Sequence, residues 1–199
     1  MEKSFLMIWT TSDHHFSHQR ICEYAYRDFA SVEEMDQHLI DAWNACIKKG
    51  DTVYHLGDVT IGTKPPFYAL NGSIVVLANR EHHDRRWLEP YNIFPSYFKS
   101  VSATGEAVVL ELPLLTLYLP QYGIGKHKRS LMLSHFPLAE WNAKHHGGWH
   151  VHGHSHYRDD WWRTDAALDV GVDNAFALLG EYRPFSIDEV AAILQERGG

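Results

Sequence analysis

Phe5-Leu6-Met7-Ile8-Trp9-Thr10-Thr11-Ser12-Asp13-His14-His15 is an apolar and β-branched run that ends in an acid and two imidazoles. A short apolar run bounded by polar residues reads as a buried strand. The expected strand covers Phe5 to Thr11 and delivers Asp13 and His15 at its C-terminal end. The same pattern recurs downstream, where Thr52–Leu56 runs into Gly57-Asp58 and Ser73–Ala78 runs into Asn79. Between the first two runs, Ser31-Val32-Glu33-Glu34 has the form of a capping box, with Ser31 as N-cap and Glu34 three residues on. The helix it opens carries apolar residues at Val32, Met35, Leu39, Ala42/Trp43 and Cys46/Ile47, a helical period, and Gly50 reads as its left-handed terminator. Pro65-Pro66 and Asn71-Gly72 bracket a short helix over Phe67–Leu70. The first eighty residues therefore read strand, helix, strand, helix, strand, which implies right-handed crossovers and a largely parallel sheet.

The second half is richer in strands. Ala107–Leu112 and Leu114–Leu119 are strand-like, and Pro113 between them marks an edge, a bulge or a corner, because proline cannot donate to a ladder. Leu131–Ser134, Trp149–His152 and Ala167–Val172 read as further strands. Ser186-Ile187-Asp188-Glu189 is a second capping box, opening a C-terminal helix with Val190, Ile193 and Leu194 inward. No repeat, low-complexity stretch or linker interrupts the chain, so residues 1–199 read as one α/β domain with two packed sheets and helices outside.

Composition narrows the class. A chain of 199 residues, 45% apolar and 22% charged, can bury a full core. The formal charge of −7 argues against stable wrapping of long nucleic acid, but is compatible with a short nucleotide or a single phosphoester. The dense basic run Lys126-His127-Lys128-Arg129 reads as a solvated loop, with phosphate gathering as its rival. Cys22 and Cys46 form no C-x-x-C pattern and read as free thiols in a reducing compartment. The apolar run at the N-terminus is too short for a secretory leader or a membrane span, which sets the cytoplasm as the expected location.

Fifteen histidines are the outlier of this composition. They include His15, His82-His83, His135, and the pair in Gly153-His154-Ser155-His156. Taken singly, such motifs are weak. His-x-His is more informative, since residues i and i+2 of a strand share a face. The ordered set is stronger still, because its members follow successive expected strands and can converge on one point.

That order, Asp-x-His at Asp13/His15, Gly-Asp at Gly57-Asp58, then Asn79, His135 and Gly-His-x-His at Gly153–His156, resembles the calcineurin-like metallophosphoesterase superfamily. The stretches Val53–Asp58, His135-Phe136-Pro137, His145–His156 and Leu168–Asp173 are similar to its small bacterial and phage members. The resemblance runs from about residue 5 to about residue 190 and implies a four-layer α/β/β/α sandwich of two mixed sheets. It also implies two divalent metal ions, one held by Asp13, His15, Asp58 and His156, the other by Asp58, Asn79, His135 and His154, with Asp58 bridging. Such oxygen and nitrogen donors suit Mn, Fe, Zn, Ni or Co without choosing among them. The implied activity is direct hydrolysis of a phosphomonoester or phosphodiester of a small phosphorylated substrate by a metal-bridging hydroxide.

The chain departs from the family pattern after Asn79. The family has Gly-Asn-His, whereas here the run is Ala78-Asn79-Arg80-Glu81-His82-His83-Asp84. One reading has two extra loop residues, letting His82 or His83 return as proton donor to the leaving group. A second has Arg80 clamp the phosphate as a fixed cation, and a third leaves both histidines on the surface. The altered loop also keeps open a degenerate scaffold of the same fold that binds partner proteins. His14 is expected to point away from its neighbours, and His18 to line the pocket or cap the next segment. His55 reads as a satisfied sheet residue and His145-His146 as a turn. His150 and His152 are open to a supporting role behind the ligands, and Trp161-Trp162 to base stacking or packing. Val108–Leu119 is open to core or to a dimer surface.

Overall fold

The structure is a computed structural model that describes residues 6–79, 83–91, 98–124, 127–156 and 166–198. The three expected strands of the first half form β1 (Ile8–Thr11), β2 (Thr52–His55) and β3 (Ser73–Leu77), parallel and in register, with Trp9 opposite Val53 and Val53 opposite Ile74. Two-residue strands close the edges of this sheet. β4 (Ser100–Val101) pairs antiparallel with β5 (Ala107–Glu111), which lies parallel to β3, and Phe185–Ser186 pairs antiparallel with β1. A second sheet holds β6 (Leu114–Ile124), β7 (His127–Ser134), β8 (Trp149–His152) and β9 (Ala167–Asp169), in that order, with only β6 antiparallel. With Phe185–Ser186 as β10, the first sheet has the order β10-β1-β2-β3-β5-β4. The fold is thus α/β with two mixed sheets. Pro113 lies where the chain leaves β5 in one sheet and enters β6 in the other, so it marks a corner.

The principal helix of the first half is α2 (Val32–Cys46), which follows a short α1 (Ile21–Tyr24). Ser31 Oγ accepts from Glu34 N at 3.1 Å, as the capping box requires. The Glu34 carboxylate reaches back to Ala30 N at 2.8 Å, one residue earlier than expected. The helix ends at Ile47. Gly50, at φ 94°, serves the turn into β2 instead of the helix terminus. Met35, Leu39 and Trp43 of α2 pack on Val53, Ile74 and Val76 of the first sheet. Between the sheets, Leu56 and Leu77 meet Leu131, Leu133, Trp149 and Val151. α5 (Ile187–Glu196) adds Val190 and Leu194 to that core, and its capping box at Ser186 and Glu189 is complete. Each such side chain, fully buried, contributes roughly 1.5–3 kcal/mol. These two cores fix the strand ends from which the site is built.

Sequence periodicity missed three short helices: α1, α3 (Arg85–Leu88) and α4 (Val172–Leu179). The strand expected over Ala167–Val172 stops at Asp169, and the chain turns through Gly171 into α4. The Phe67–Leu70 helix is a single 3-10 turn, Phe67–Ala69. Val108 and Leu119 are core, whereas Leu112, Leu114 and Tyr118 are exposed. Cys22 and Cys46 are free thiols. No helix among the described residues is long and apolar enough to cross a membrane.

Candidate metal centre

The loops that follow β1, β2, β3, β7 and β8 carry Asp13/His15, Asp58, Asn79, His135 and His154/His156. Their backbones are stitched together: Asp13 N donates to Gly57 O at 3.1 Å, His15 N to Asp58 O at 3.0 Å, and Gly153 N to His135 O at 3.0 Å. Val172 N donates to Ser12 O at 3.1 Å, joining the start of α4 to the end of β1. Beside a group formed by His15 with His18 and His83, two groups of the predicted donors result, Asp13–His15–His156 and Asp58–His135–His154, and within each the donor atoms lie within 4.8 Å of one another. Asp58 stands between them, its Oδ2 lying 3.6 Å from His15 Nε2 and 3.5 Å from His135 Nε2. Asn79, 6% exposed, packs beside Gly57, where an added Cβ would lie 3.6 Å from Asn79 Cβ and 3.1 Å from His135 Nδ1. His15 Nε2 faces His156 Nε2 at 3.2 Å. All seven predicted donors are thus brought into one region.

The local backbone is strained to achieve this. Asp13 (φ 59°), His15 (53°), Asp58 (53°), His154 (70°) and His156 (47°) all adopt left-handed conformations. Each such residue costs about 1–3 kcal/mol and persists only where its surroundings over-determine it. Glycines give the room. A Cβ on Gly153 would stand 2.2 Å from both Asp13 Oδ2 and Ser12 Oγ, and one on Gly171 2.9 Å from Asp13 Oδ2. The glycine of Gly-His-x-His is therefore required by close approach to the first aspartate, not by its own torsion.

Behind the donors lies a supporting layer of which sequence reading identified only His18, expected at the pocket and found lining it. His156 Nδ1 pairs with Asp173 Oδ2 at 2.6 Å, which leaves Nε2 to face the site. Asp173 is gripped by Arg27 through Nε at 2.7 Å and Nη2 at 2.9 Å. The same guanidinium donates to the carbonyls of Asp13 at 2.6 Å and His14 at 2.8 Å, so one buried arginine holds the first loop and the last histidine together. Ser155 Oγ donates to Asp169 Oδ2 at 2.6 Å, and Asp84 Oδ1 accepts from Val59 N, Thr60 N and Trp87 Nε1 beside Asp58. His18 Nδ1 lies 3.4 Å from His15 Nδ1, again leaving Nε2 of the donor histidine toward the site. Partners of this kind fix tautomer and ring orientation in metal centres.

The electrostatics suit a cation. Burial pushes the Asp13 carboxyl up to about 8; His156 opposes the shift, while Asp58 and Asp169 add to it. Asp13 Oδ1 is buried without a hydrogen-bond partner among the described residues. Buried carboxylates crowded in this way are stabilised by a positive ion. Burial holds His15 well below its ordinary value and thus as a neutral imidazole, whereas burial of His156 is overcome by Asp173 and Asp13, which raise it. Burial alone would raise Asp173, but Arg27 and His156 overcome it and hold the carboxyl at about 2. The residues present therefore fit a metal ion.

His83 enters the centre, with its ring 4.8 Å from that of His15 and 5.1 Å from that of His18. Arg80 and His82 lie outside the described residues, as do Trp161 and Trp162. Arg129 lies over the Trp149 ring at 4.2 Å, while Lys126 and the side chains of His127 and Lys128 lie outside the described residues. His145 is exposed beside Glu140. His150 accepts from Leu138 N at 3.1 Å and packs on Trp141, while His152 Nδ1 lies 3.0 Å from Gly153 O.

His14 and His55 form a buried pair at 2.9 Å. Gly57 N donates to His55 Nδ1 at 3.2 Å, so His55 donates from Nε2 to His14. Burial lowers both, His55 to about 3, so both are neutral when folded. The unfolded chain binds protons that the folded chain refuses between about 3 and the ordinary histidine value near 6.5. Stability from this pair is full above that window and falls as pH drops through it, by about 1.4 kcal/mol per pH unit for each such proton. In urea unfolding, the stability lead of wild type over His55→Gln is therefore expected to shrink between pH 6.5 and pH 4. A constant difference would show that the pair is not held neutral.

The chain matches no profile of a known protein family. An uncharacterized protein of Methanocaldococcus jannaschii is 27% identical over 206 aligned residues, covering 97% of this chain and 94% of that protein. Gene 66 proteins of the mycobacterium phages L5 and D29 are 29% and 26% identical, covering 74% and 76% of this chain and 76% and 79% of their own. The crystal structure of an Aquifex aeolicus protein of unknown function superposes with a TM-score of 0.62 over 95% of this chain and 100% of that one, at 18% identity. At that identity, the last similarity is one of fold alone.

Proposed function

We propose that this protein is a metal-dependent phosphoesterase of the calcineurin-like type, in which Asp13, His15, Asp58, Asn79, His135, His154 and His156 hold two divalent cations. The four-layer α/β/β/α sandwich belongs to the same proposal. The observation that carries it is the placement of Asp58 Oδ2 between His15 and His135, which joins two donor triplets through one carboxylate. Two such cations, when bound, supply a nucleophile at neutral pH and offset charge on the phosphoryl oxygens.

The chain's own residues do the rest. Asp58 would help to hold both cations, and its negative charge would lessen their repulsion. Imidazoles, which carry no negative charge, would complete the shells without adding to that of Asp13 and Asp58. Arg27 and Asp173 orient His156, and Asp84 steadies the Asp58 loop. His83, whose ring lies beside those of His15 and His18, would hold a proton for the leaving oxygen.

The test combines metal analysis with hydrolysis of p-nitrophenyl phosphate and bis-p-nitrophenyl phosphate by Mn-loaded protein. Two metals with turnover are expected. His83→Ala should slow esters of basic leaving groups more than p-nitrophenyl esters, since only the former need a proton. Metals without turnover would identify a binding protein, and neither metals nor turnover a scaffold.

A further inference from the structure

A cavity of about 310 Å³ opens on the donor cluster. His15, His154 and His156 line it together with Arg20, Ile21 and Tyr24, which belong to the segment around α1. Tyr24 meets the support of the donors only edge-on, its ring 6.5 Å from that of His18. Tyr24 is 45% exposed, although α1 itself is anchored by the buried Ile21. The Arg20 guanidinium lies over the Tyr24 ring, its Cζ 5.2 Å from the ring centroid. A guanidinium held over a phenol ring offers a wall of flat groups that carries positive charge, because the ring quadrupole attracts the cation.

Three properties of the cavity narrow its occupant. Among the described residues that line it there is no acid, only imidazoles, the guanidinium, a phenol and an aliphatic side chain, so an anion is favoured. Its volume stands at the small end of ligand pockets, about 300–1,000 Å³, and suits one small molecule. The formal charge of −7 on the whole chain disfavours a long polyanion, which needs an extended basic track. A small anion that also offers a flat ring to a flat cationic wall is a mononucleotide.

We infer that Arg20 and Tyr24 form a base-stacking subsite, which makes the substrate class a nucleotide or a small nucleotide ester. This rests on the phosphoesterase reading, since the phosphate end would meet the donor cluster while the ring lies on the wall. Aromatic and guanidinium faces stack every base, so the wall selects for a ring without selecting among bases.

Calorimetric titration of the Mn-loaded full chain tests it with three probes: adenosine 5′-monophosphate, ribose 5-phosphate and inorganic phosphate. The first two share sugar and phosphate and differ by the ring. Wild type is expected to bind the nucleotide about tenfold more tightly than ribose 5-phosphate, the lower range of base stacking. Tyr24→Ala removes the ring and Arg20→Lys keeps the charge without the plane, and each is expected to reduce that ratio towards one. Equal affinity for nucleotide and ribose phosphate in wild type, or a ratio unmoved by either substitution, would overturn the subsite. If inorganic phosphate still binds in that case, the phosphoesterase reading survives alone. If none of the three probes binds, that reading fails and the subsite with it.

Discussion

Asp58→Asn is expected to lower phosphoester hydrolysis by at least about a thousandfold, equivalent to about 4 kcal/mol of lost transition-state stabilisation. The substitution keeps the shape of the side chain and removes the charge that both donor triplets share. His15 Nε2 and His135 Nε2 approach the same oxygen, at 3.6 Å and 3.5 Å, so no neighbour can replace it for either cation. Bound metal should fall below two per chain at concentrations that saturate wild type. The metal-free protein should respond in the opposite direction. Asp58 raises the Asp13 carboxyl by repulsion, so its neutralisation relieves a buried clash and the apo variant should melt no lower than wild type. Metal analysis, steady-state kinetics and thermal unfolding of one preparation check all three outcomes. Retention of two metals with activity within tenfold of wild type would exclude a bridging role.

Arg27→Met is expected to produce the largest loss of stability among substitutions outside the donor set. Methionine retains much of the volume but strands the Asp173 carboxylate, which is buried and held at about 2 chiefly against its own burial by this guanidinium. Breaking a buried pair by removing one partner costs about 3–5 kcal/mol. The carbonyls of Asp13 and His14 lose their donor as well, and His156 loses the anchored carboxylate that sets its tautomer. Metal affinity should therefore fall by about 10–100-fold, the usual effect of losing such a partner. A double variant, Arg27→Met with Asp173→Asn, separates the two effects. It removes the stranded charge and should recover much of the stability, yet it should not restore metal affinity. Denaturant unfolding and metal titration of both variants provide the comparison. If the double variant recovers affinity too, Arg27 acts on folding alone.

The parts of this molecule legible from sequence are those governed by local pattern. Strands β1, β2, β3 and β8 follow from apolar runs bounded by polar residues, and the N-termini of α2 and α5 from their capping serines. The candidate donors were legible because they follow those strands and β7 directly. Arg27 and Asp173 were not, since they are 146 positions apart and meet only through the packing of α4 against the end of β1. Asp84 was passed over for a related reason. Its task is to accept backbone N–H groups from the loop after β2, and no spacing announces that. α4 was missed because Ala167–Val172 reads as a strand, apolar apart from Asp169 and Gly171. What ends the strand is the room Gly171 leaves for Asp13, a non-local demand. Tyr24 and Arg20 carry no motif at all, and their significance arises only from the cavity they border.

The corner at Pro113 separates two sheets, yet each donor triplet draws on both. Asp13 and His15 follow a strand of the first sheet and His156 one of the second; Asp58 belongs to the first, His135 and His154 to the second. An ion seated in either triplet would act as a rivet through the seam between the halves. Its occupancy would then be a mechanical property of the whole domain, adding about 2.7 kcal/mol to resistance against unfolding at a hundredfold excess over its dissociation constant. Starving the protein of metal would loosen the joint as well as silence the chemistry.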